Sequence, residues 1–373
     1  MTPTANRSLK VLFLTRYPVE GASSRYRVHQ YLPQLEALGV RCTVQTFMDD
    51  AMYRLSFSPG RTGRKAWMTL QATVRRLRAL LRWREYDLIY LQRELFPFGP
   101  PWVERMLRQR GAAMLFDYDD ALFIKKPSRY NPIATLLRSS SKTLDIFRLV
   151  DCVVAGNDWL RDRAIAEGGR AVKLEVAEDT QRIAMHPPHS NARPVTVGWL
   201  GSKSTVKYLR LIEAVLQELA RAHPGLRFEI VGGGEFAMDG VPWVHTEWSL
   251  DAELQALQRF DIGLMPLPQE DWANGKSGGK ARTYMAAGVV PVCQDIGYNR
   301  QLIRPGETGF LCTTPQQWRE TLEQAIADAA LRQRVAEAAR ADVEQRFSLA
   351  GQAAALRAVF DEVLARRAGG RGA

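Results

Sequence analysis

Histidine is scarce in this chain and cysteine is scattered. The 373 residues include five histidines and four cysteines. Cys42, Cys152, Cys293 and Cys312 lie far apart, with no Cys-x-x-Cys pair and no Cys/His ligand spacing. That pattern excludes a disulfide framework and a structural zinc site, and points to free thiols in a reducing compartment. No run approaches the ~20 apolar residues that span a bilayer. The polar start, Met1 to Lys10, leads into only a short apolar run, and reads as neither a signal peptide nor an anchor. A cytoplasmic setting is the expectation. The Gly-x4-Gly-Lys-Ser/Thr phosphate loop is absent as well.

What is present is ordinary core material, unevenly charged. Hydrophobic residues make up 46% and charged residues 24%, enough apolar side chain for two domains in a chain of this length. Residues 1–193 hold 31 Lys/Arg against 19 Asp/Glu, whereas residues 194–373 hold 20 against 21. A basic half beside a neutral half points to an anionic surface facing the first: membrane, nucleic acid or polyanion.

The first half reads as alternating strands and helices. Leu9 to Thr15 and Val40 to Phe47 are apolar runs of strand length. Between them Ser23 or Ser24 would cap a helix that buries Val28, Tyr31, Leu32, Leu35 and Leu38. Gly21 lies in the loop after the first strand, where the chain would pass close to a ligand. Further strands are expected at Tyr86 to Gln92, Ala113 to Phe116, Asp151 to Gly156 and Val172 to Val176. The fourth ends in Asp117-Tyr118-Asp119-Asp120. Three carboxylates at the carboxyl end of a strand fit an N-cap with solvated acids, a hard-cation site, or groups that orient a hydroxylated acceptor through Asp119 or Asp120.

Between these strands, Arg61 to Arg84 forms a basic amphipathic helix. Trp67, Leu70, Val74, Leu77 and Leu81 recur at helical spacing, among Arg64, Lys65, Arg75, Arg76 and Arg78. Either the apolar stripe packs on the core and the basic face is solvated, or those cations face anionic lipid headgroups. A nucleic-acid role lacks a stacking motif or a helix–turn–helix signature.

Residues Met185 to Pro194 are polar and Pro-rich and read as an interdomain linker, with His186 and His189 as linker residues. The strand–helix alternation then begins anew. Val195 to Leu200 is a strand whose loop carries Ser202 and Lys203. Asp261 to Leu267 is another, and Asn274 to Gly288 follows it. In that stretch Lys276, Ser277, Gly279 and Lys280 precede or open a helix. Unpaired N–H groups at a helix start, glycines and two cations make a phosphate cradle in type. A solvated surface loop is the alternative.

Several segments carry a resemblance. They include Val11-Leu12-Phe13-Leu14 with Gly21, Phe228-Glu229-Ile230-Val231-Gly232-Gly233-Gly234, Asp261 to Leu267, Tyr284-Met285-Ala286-Ala287-Gly288 and Gly306-Glu307-Thr308-Gly309-Phe310-Leu311. Together they resemble the GT-B glycosyltransferases, family 4-like, of bacterial polysaccharide and glycolipid synthesis. The resemblance implies an α/β fold of two doubly wound, Rossmann-like domains facing across a cleft. Their expected extents are 1–184 on the acceptor side, a linker at 185–194, a nucleotide-sugar domain at 195–345, and a helix at 346–368 packing back on the first domain. It implies a retaining glycosyltransferase that moves a hexose from a nucleotide-sugar donor to a hydroxyl of a glycan or lipid-linked acceptor, with no metal and no cofactor. On this reading Asp119 and Asp120 are the catalytic candidates, one or the other orienting the acceptor hydroxyl or accepting its proton late. Gly21, Ser202, Lys203, Lys276, Ser277, Gly279, Lys280 and Thr283 face the donor. Arg64, Lys65, Arg75, Arg76 and Arg78 face the inner leaflet. The chain departs from the family's pattern at Gly275 and Thr283, where two glutamates are usual, at Trp199 for an arginine, and at Gln301 for a glutamate. Those departures keep two alternatives open: a non-catalytic nucleotide- or glycan-binding protein of the same fold, and a nucleotide-sugar epimerase.

Overall fold

The computed structural model describes residues 8–58, 60–124 and 141–369. The chain forms two compact units, Met1–Ala177 together with Leu349–Ala373, and Glu178–Ser348. Among the described residues each is a six-stranded, wholly parallel sheet with helices.

In the first unit the strands are β1 (Leu9–Thr15), β2 (Val40–Thr46), β3 (Leu88–Gln92), β4 (Met114–Tyr118), β5 (Cys152–Ala155) and β6 (Ala171–Lys173), in spatial order β2-β1-β3-β4-β5-β6. Buried parallel strands read as continuous apolar runs because both faces are covered. β1 illustrates this: Leu9, Val11 and Phe13 pack with Val28, Tyr31 and Leu35, while Leu12 and Leu14 pack with Leu80, Leu107 and Ile146. The long C-terminal helix, Leu349–Gly369, adds Leu356, Phe360 and Val363 to the first of these cores.

Two local expectations change here. The segment after β1 is not one capped helix but two short ones, Ala22–Arg27 and Leu32–Ala37. Gly21 stands at the N-cap position without a side-chain cap, and Leu38 is left exposed. The hydroxyls of Ser23 and Ser24 are committed elsewhere, to partners 68 to 96 residues away in sequence. In addition, β4 extends through Asp117 to Tyr118, so Asp117 lies inside the sheet rather than at its rim.

In the second unit the strands are β7 (Thr196–Leu200), β8 (Arg227–Val231), β9 (Trp243–Thr246), β10 (Ile262–Met265), β11 (Val290–Gln294) and β12 (Phe310–Cys312), in order β12-β11-β10-β7-β8-β9. The segment expected as a linker, residues 185–194, is built into this unit. The N–H of His186 donates to the Ala287 carbonyl at 2.6 Å, and the two Arg193 Nη atoms reach the Asp261 carboxylate at 2.8 Å each. Burial alone would raise Asp261. His189, Arg193 and the N–H of Thr196 instead hold it down to about 2. Polarity at 185–194 therefore reflects a buried charge cluster rather than an exposed tether.

Both sheets reverse direction after their first strand. In the first unit β2 and β3 flank β1; in the second, β8 and β10 flank β7. Open α/β sheets bind ligands in the crevice beyond the carboxyl ends at such a reversal. That rule marks the loops after β1 and β3, and those after β7 and β10.

Candidate functional site

The loops at the carboxyl ends of β7 and β10 gather the expected cations. After β10 comes a short turn of helix, Asp271–Asn274, and then the helix Gly279–Ala287. Gly278 precedes that helix at φ +66°, a conformation that costs other residues, and turns the chain sharply into the first helical N–H groups. A side chain built at Gly279 would meet nothing within 4 Å, so the first turn is open to a ligand. Lys280 follows. Its ammonium lies 5.3 Å from the centroid of the buried Trp199 ring, and its stem passes so near Gly201 that a Cβ there would come within 2.6 Å of it. The missing side chain at Gly201 is thus what lets a cation lie across the end of β7.

Lys276 stands over the Trp272 ring at 4.1 Å. Desolvation, reinforced by the charge of Lys276, pushes the Lys280 ammonium down to about 8. Both effects penalise its charged form, and an anion would relieve them. Lys203 and Ser202 are exposed in the loop after β7. The stem of Lys203 runs over Gly234, within 3.1 Å of where a Cβ would sit. The Ser202 hydroxyl shares hydrogen bonds with Ser204 and Thr205 at 2.8 and 3.3 Å. Ser277 is buried, and its carbonyl accepts from the Arg282 guanidinium.

Thr283 does not line this crevice. It is buried, and its hydroxyl donates to Glu178 Oε1 at 3.2 Å. A carboxylate therefore does stand beside the Thr283 position, supplied from 105 residues away in sequence. Burial pushes Glu178 up to about 8 although Arg282 opposes this. Glu178 had no signal in the sequence, because it belongs to neither a motif nor an apolar period.

The first unit carries its own polar cluster at the ends of β1, β3 and β4. Asp119 Oδ1 accepts from Ser23 Oγ at 2.8 Å and from Arg93 Nη2 at 3.3 Å. Gln92 knits the loop around it. Its Oε1 accepts from the N–H of Arg16 at 3.1 Å and from Ser24 Oγ at 2.7 Å, and its Nε2 donates to Ser23 Oγ at 2.9 Å. Arg93 lies 5.5 Å from the Tyr17 ring centroid and holds φ +66°, an uncommon conformation for a residue with a side chain. Gly21 is packed against Tyr17, where a Cβ would come within 2.3 Å of the tyrosine Cβ. Gly21 therefore shapes the loop after β1 by letting the Tyr17 side chain lie against its backbone. Asp120 follows, with its Oδ1 accepting the N–H of Ala121 at 3.0 Å and its charge acting on Arg93. Arg93 and Gln92, which sequence reading passed over, are the neighbours that fix Asp119.

Asp117 has a different office. Its carboxylate receives Arg27 Nε at 3.0 and 3.1 Å, Nη2 at 2.5 Å, and the Tyr90 hydroxyl at 2.7 Å, all without exposure. Among the described residues one group of metal-type ligands clusters closely: His186, His189 and Asp261. It does not fit a cation. His189 spends both ring nitrogens on Asp261 Oδ1 and the Gly288 carbonyl, at 2.9 and 3.0 Å, and Arg193 and Arg332 stand at the same carboxylate.

Of the five cations expected to face a membrane, Arg64, Arg75 and Arg78 are exposed on the helix Thr62–Leu81. Arg75 is paired with Asp49, and Lys65 Nζ donates to the Ser58 carbonyl. Arg76 contradicts the expectation. It is buried, and donates to the Thr15 carbonyl at 2.6 Å, because it sits on the side of the helix that packs on the sheet. The apolar stripe is also reversed from a core-packed reading, since Trp67, Leu70, Val74, Leu77 and Leu81 are all exposed. Among the described residues no helix is long and apolar enough to cross a membrane.

No curated protein matches the chain by sequence. Residues 193–328 match the family described as "Glycosyl transferases group 1". Among solved structures, HepE of Anabaena in complex with UDP and glucose is similar at 17% identity and a TM-score of 0.69, covering 95% of this chain and 100% of that one. Sucrose-phosphate synthase from Thermosynechococcus elongatus is similar at 16% identity and 0.70, covering 96% and 100%. A glycosyltransferase from Rickettsia africae is similar at 13% identity and 0.68, covering 96% and 99%. At these identities the likeness carries the fold alone. The chain has the GT-B fold, and its second unit fits the group 1 glycosyltransferases.

Proposed function

We propose that the protein is a retaining glycosyltransferase that takes a sugar from a nucleoside-diphosphate donor and passes it to a hydroxyl of a glycan or a lipid-linked acceptor. One observation carries the reading. Lys280, Lys276, Lys203 and the opening turn of the helix Gly279–Ala287 converge at the reversal point of the very sheet that matches the group 1 family. Departure of a nucleoside diphosphate leaves a growing negative charge. Fixed cations and helical N–H groups are the means this chain offers to stabilise it, so the reading calls on no metal. HepE was crystallised with UDP-glucose, which makes a uridine donor the first to try.

On the first unit, Asp119 is positioned by Ser23 and Arg93 to orient an acceptor hydroxyl and to take its proton late in the transfer. The basic character of that unit suits a cytoplasmic enzyme working at the inner face of a membrane on a lipid-linked acceptor.

A thermal-shift screen against UDP, GDP, ADP and dTDP, each with and without EDTA, tests the donor assignment. A diphosphate at about 100 times its dissociation constant should stabilise the fold by ~2.7 kcal/mol. The expected result is a shift with one base, most readily uridine, that EDTA leaves unchanged. No shift with any of the four would remove the donor site. A shift from the diphosphate without sugar transfer to any hydroxylated acceptor would favour the non-catalytic binding protein, to which the residues at Gly275 and Thr283 give some weight. Turnover of the donor without an acceptor would favour the epimerase.

A further inference from the structure

We infer that the helix Thr62–Leu81 is an interfacial docking element, which lays its exposed apolar stripe into the headgroup region of an anionic lipid bilayer. Trp67, Leu70, Val74, Leu77 and Leu81 are 60%, 54%, 38%, 43% and 83% exposed. Five of the twelve exposed large hydrophobic side chains among the described residues thus belong to this one helix. At about 100° per residue they fall within a stripe roughly 80° wide. Arg64, Arg75, Arg78 and Arg82 follow one edge of that stripe at the same spacing. Arg64 and Arg78 have no acidic partner among the described residues, whereas Arg75 pairs with Asp49 and Arg82 with Glu85.

The opposite side fixes the helix in place. Ala72, Arg76 and Leu80 are buried there, and Arg76 holds the ends of β1 and β2 through the carbonyls of Thr15 and Gln45. The stripe therefore faces outward because the helix cannot roll, not because it lacks a preferred face. In water such a stripe is unfavourable, and contiguous exposed apolar surface marks an interaction site.

Charge selects the occupant. From Ala51 to Arg84 the chain holds nine Lys/Arg and no Asp or Glu. A second copy packed on the same stripe would bring two such segments together, with the flanking acids Asp49 and Glu85 already engaged by Arg75 and Arg82 and none left for Arg64 and Arg78. Nucleic acid would use the arginines and leave the apolar stripe in water. An anionic bilayer satisfies both, with apolar side chains at the acyl boundary, arginines at the phosphates, and Trp67 at the headgroup level where indole rings collect. The inference rests on the helix alone and stands apart from the donor assignment.

Sedimentation of the full chain with vesicles tests it. One set is pure phosphatidylcholine, and the other contains about one third phosphatidylglycerol to supply the surface charge. Partitioning to the anionic vesicles alone is expected, falling as salt is raised. Arg64→Gln with Arg78→Gln should weaken it by about fivefold for each arginine removed. Leu70→Glu with Leu77→Glu should abolish it, and since both side chains are exposed the melting temperature should hold. Equal binding by the glutamate variant, equal binding to both vesicle types, or no binding by the wild type would overturn the inference. So would a wild-type dimer that Leu70→Glu with Leu77→Glu converts to a monomer, which would make the stripe a contact between copies.

Discussion

Lys280→Met is expected to weaken binding of the nucleoside diphosphate about 10- to 100-fold while raising the melting temperature of the ligand-free protein. The affinity loss follows from removing a charge-assisted contact to phosphate, of order 1.5–3 kcal/mol, with tenfold for each ~1.4 kcal/mol. The stability gain follows from the proton balance. Desolvation beside Lys276 brings Lys280 from an ordinary 10.5 to about 8 in the folded protein. Between those values the unfolded chain binds more protons than the folded one, so wild-type stability rises as pH is raised through that window. Below about pH 8 the folded protein carries the full cost of a poorly solvated ammonium. Methionine fills a similar volume without that cost, so its variant should melt higher at pH 7 and show a flatter stability profile from pH 8 upward. Ligand binding has the opposite dependence. A phosphate favours the protonated lysine, so wild-type affinity should fall above about pH 8, and the methionine variant should lose that fall. Calorimetric titration with UDP at pH 7 and pH 9, alongside melting curves, reads both effects. Unchanged affinity in the variant would remove Lys280 from the donor site. An unchanged melting temperature would show that the ammonium is better solvated than its place over Trp199 implies.

How much of this was legible in the sequence depended on the range of the interactions. Strands such as Leu9–Thr15 and Ile262–Met265 are marked by apolar runs that a doubly buried parallel strand requires, and a helix was expected to start at Lys280, one residue inside its true start. The glycines and lysines at the start of the helix Gly279–Ala287 lie close together in sequence, so their grouping could be read directly. What stayed hidden was held together across long separations. Ser23 and Ser24 have the form of helix caps, and only the arrival of Gln92 and Asp119 gives them other partners. Arg76 belongs to a basic run whose period marks an amphipathic helix without saying which face meets the sheet. The apolar stripe invited the wrong answer, and the buried side proved to be built from alanine, leucine and a guanidinium that supplies its own hydrogen bonds. His189 and Arg193 looked like linker residues because their carboxylate, Asp261, stands 68 to 72 residues further on. Glu178 was invisible for the same reason.

Asp117→Ala and Asp119→Asn, two residues apart on the same strand end, should fail in opposite ways. Asp117 is fully buried and receives three guanidinium contacts and a phenol; Arg27 in turn also reaches the Leu174 carbonyl at 2.6 Å. Burial pushes the Asp117 carboxyl up, although the Arg27 guanidinium and the Tyr90 hydroxyl oppose it. Removing one member of such a pair strands the other without solvent, at a cost of about 3–5 kcal/mol. The chain should then unfold at markedly lower denaturant, with the loss read in the first unit. Replacing both partners, as in Arg27→Met with Asp117→Leu, should recover much of that loss, because the pair's own attraction does little more than offset its desolvation. Asp119 is partly exposed, and its neighbours Ser23 and Arg93 can hydrogen-bond an amide as well as a carboxylate. Asp119→Asn should therefore leave stability within about 1 kcal/mol of the wild type. It should also leave nucleotide affinity unchanged, since the proposed donor cradle is built from residues of the other unit, while cutting sugar transfer by about 100-fold or more, as loss of a general base does. Denaturant melts, UDP titration and a transfer assay on the two variants separate these outcomes. Full transfer by Asp119→Asn would return the carboxylate to a purely local role in holding the loop after β1. A stable Asp117→Ala protein would mean that water reaches Arg27, and that the ion pair inside the sheet is not the clamp its geometry describes.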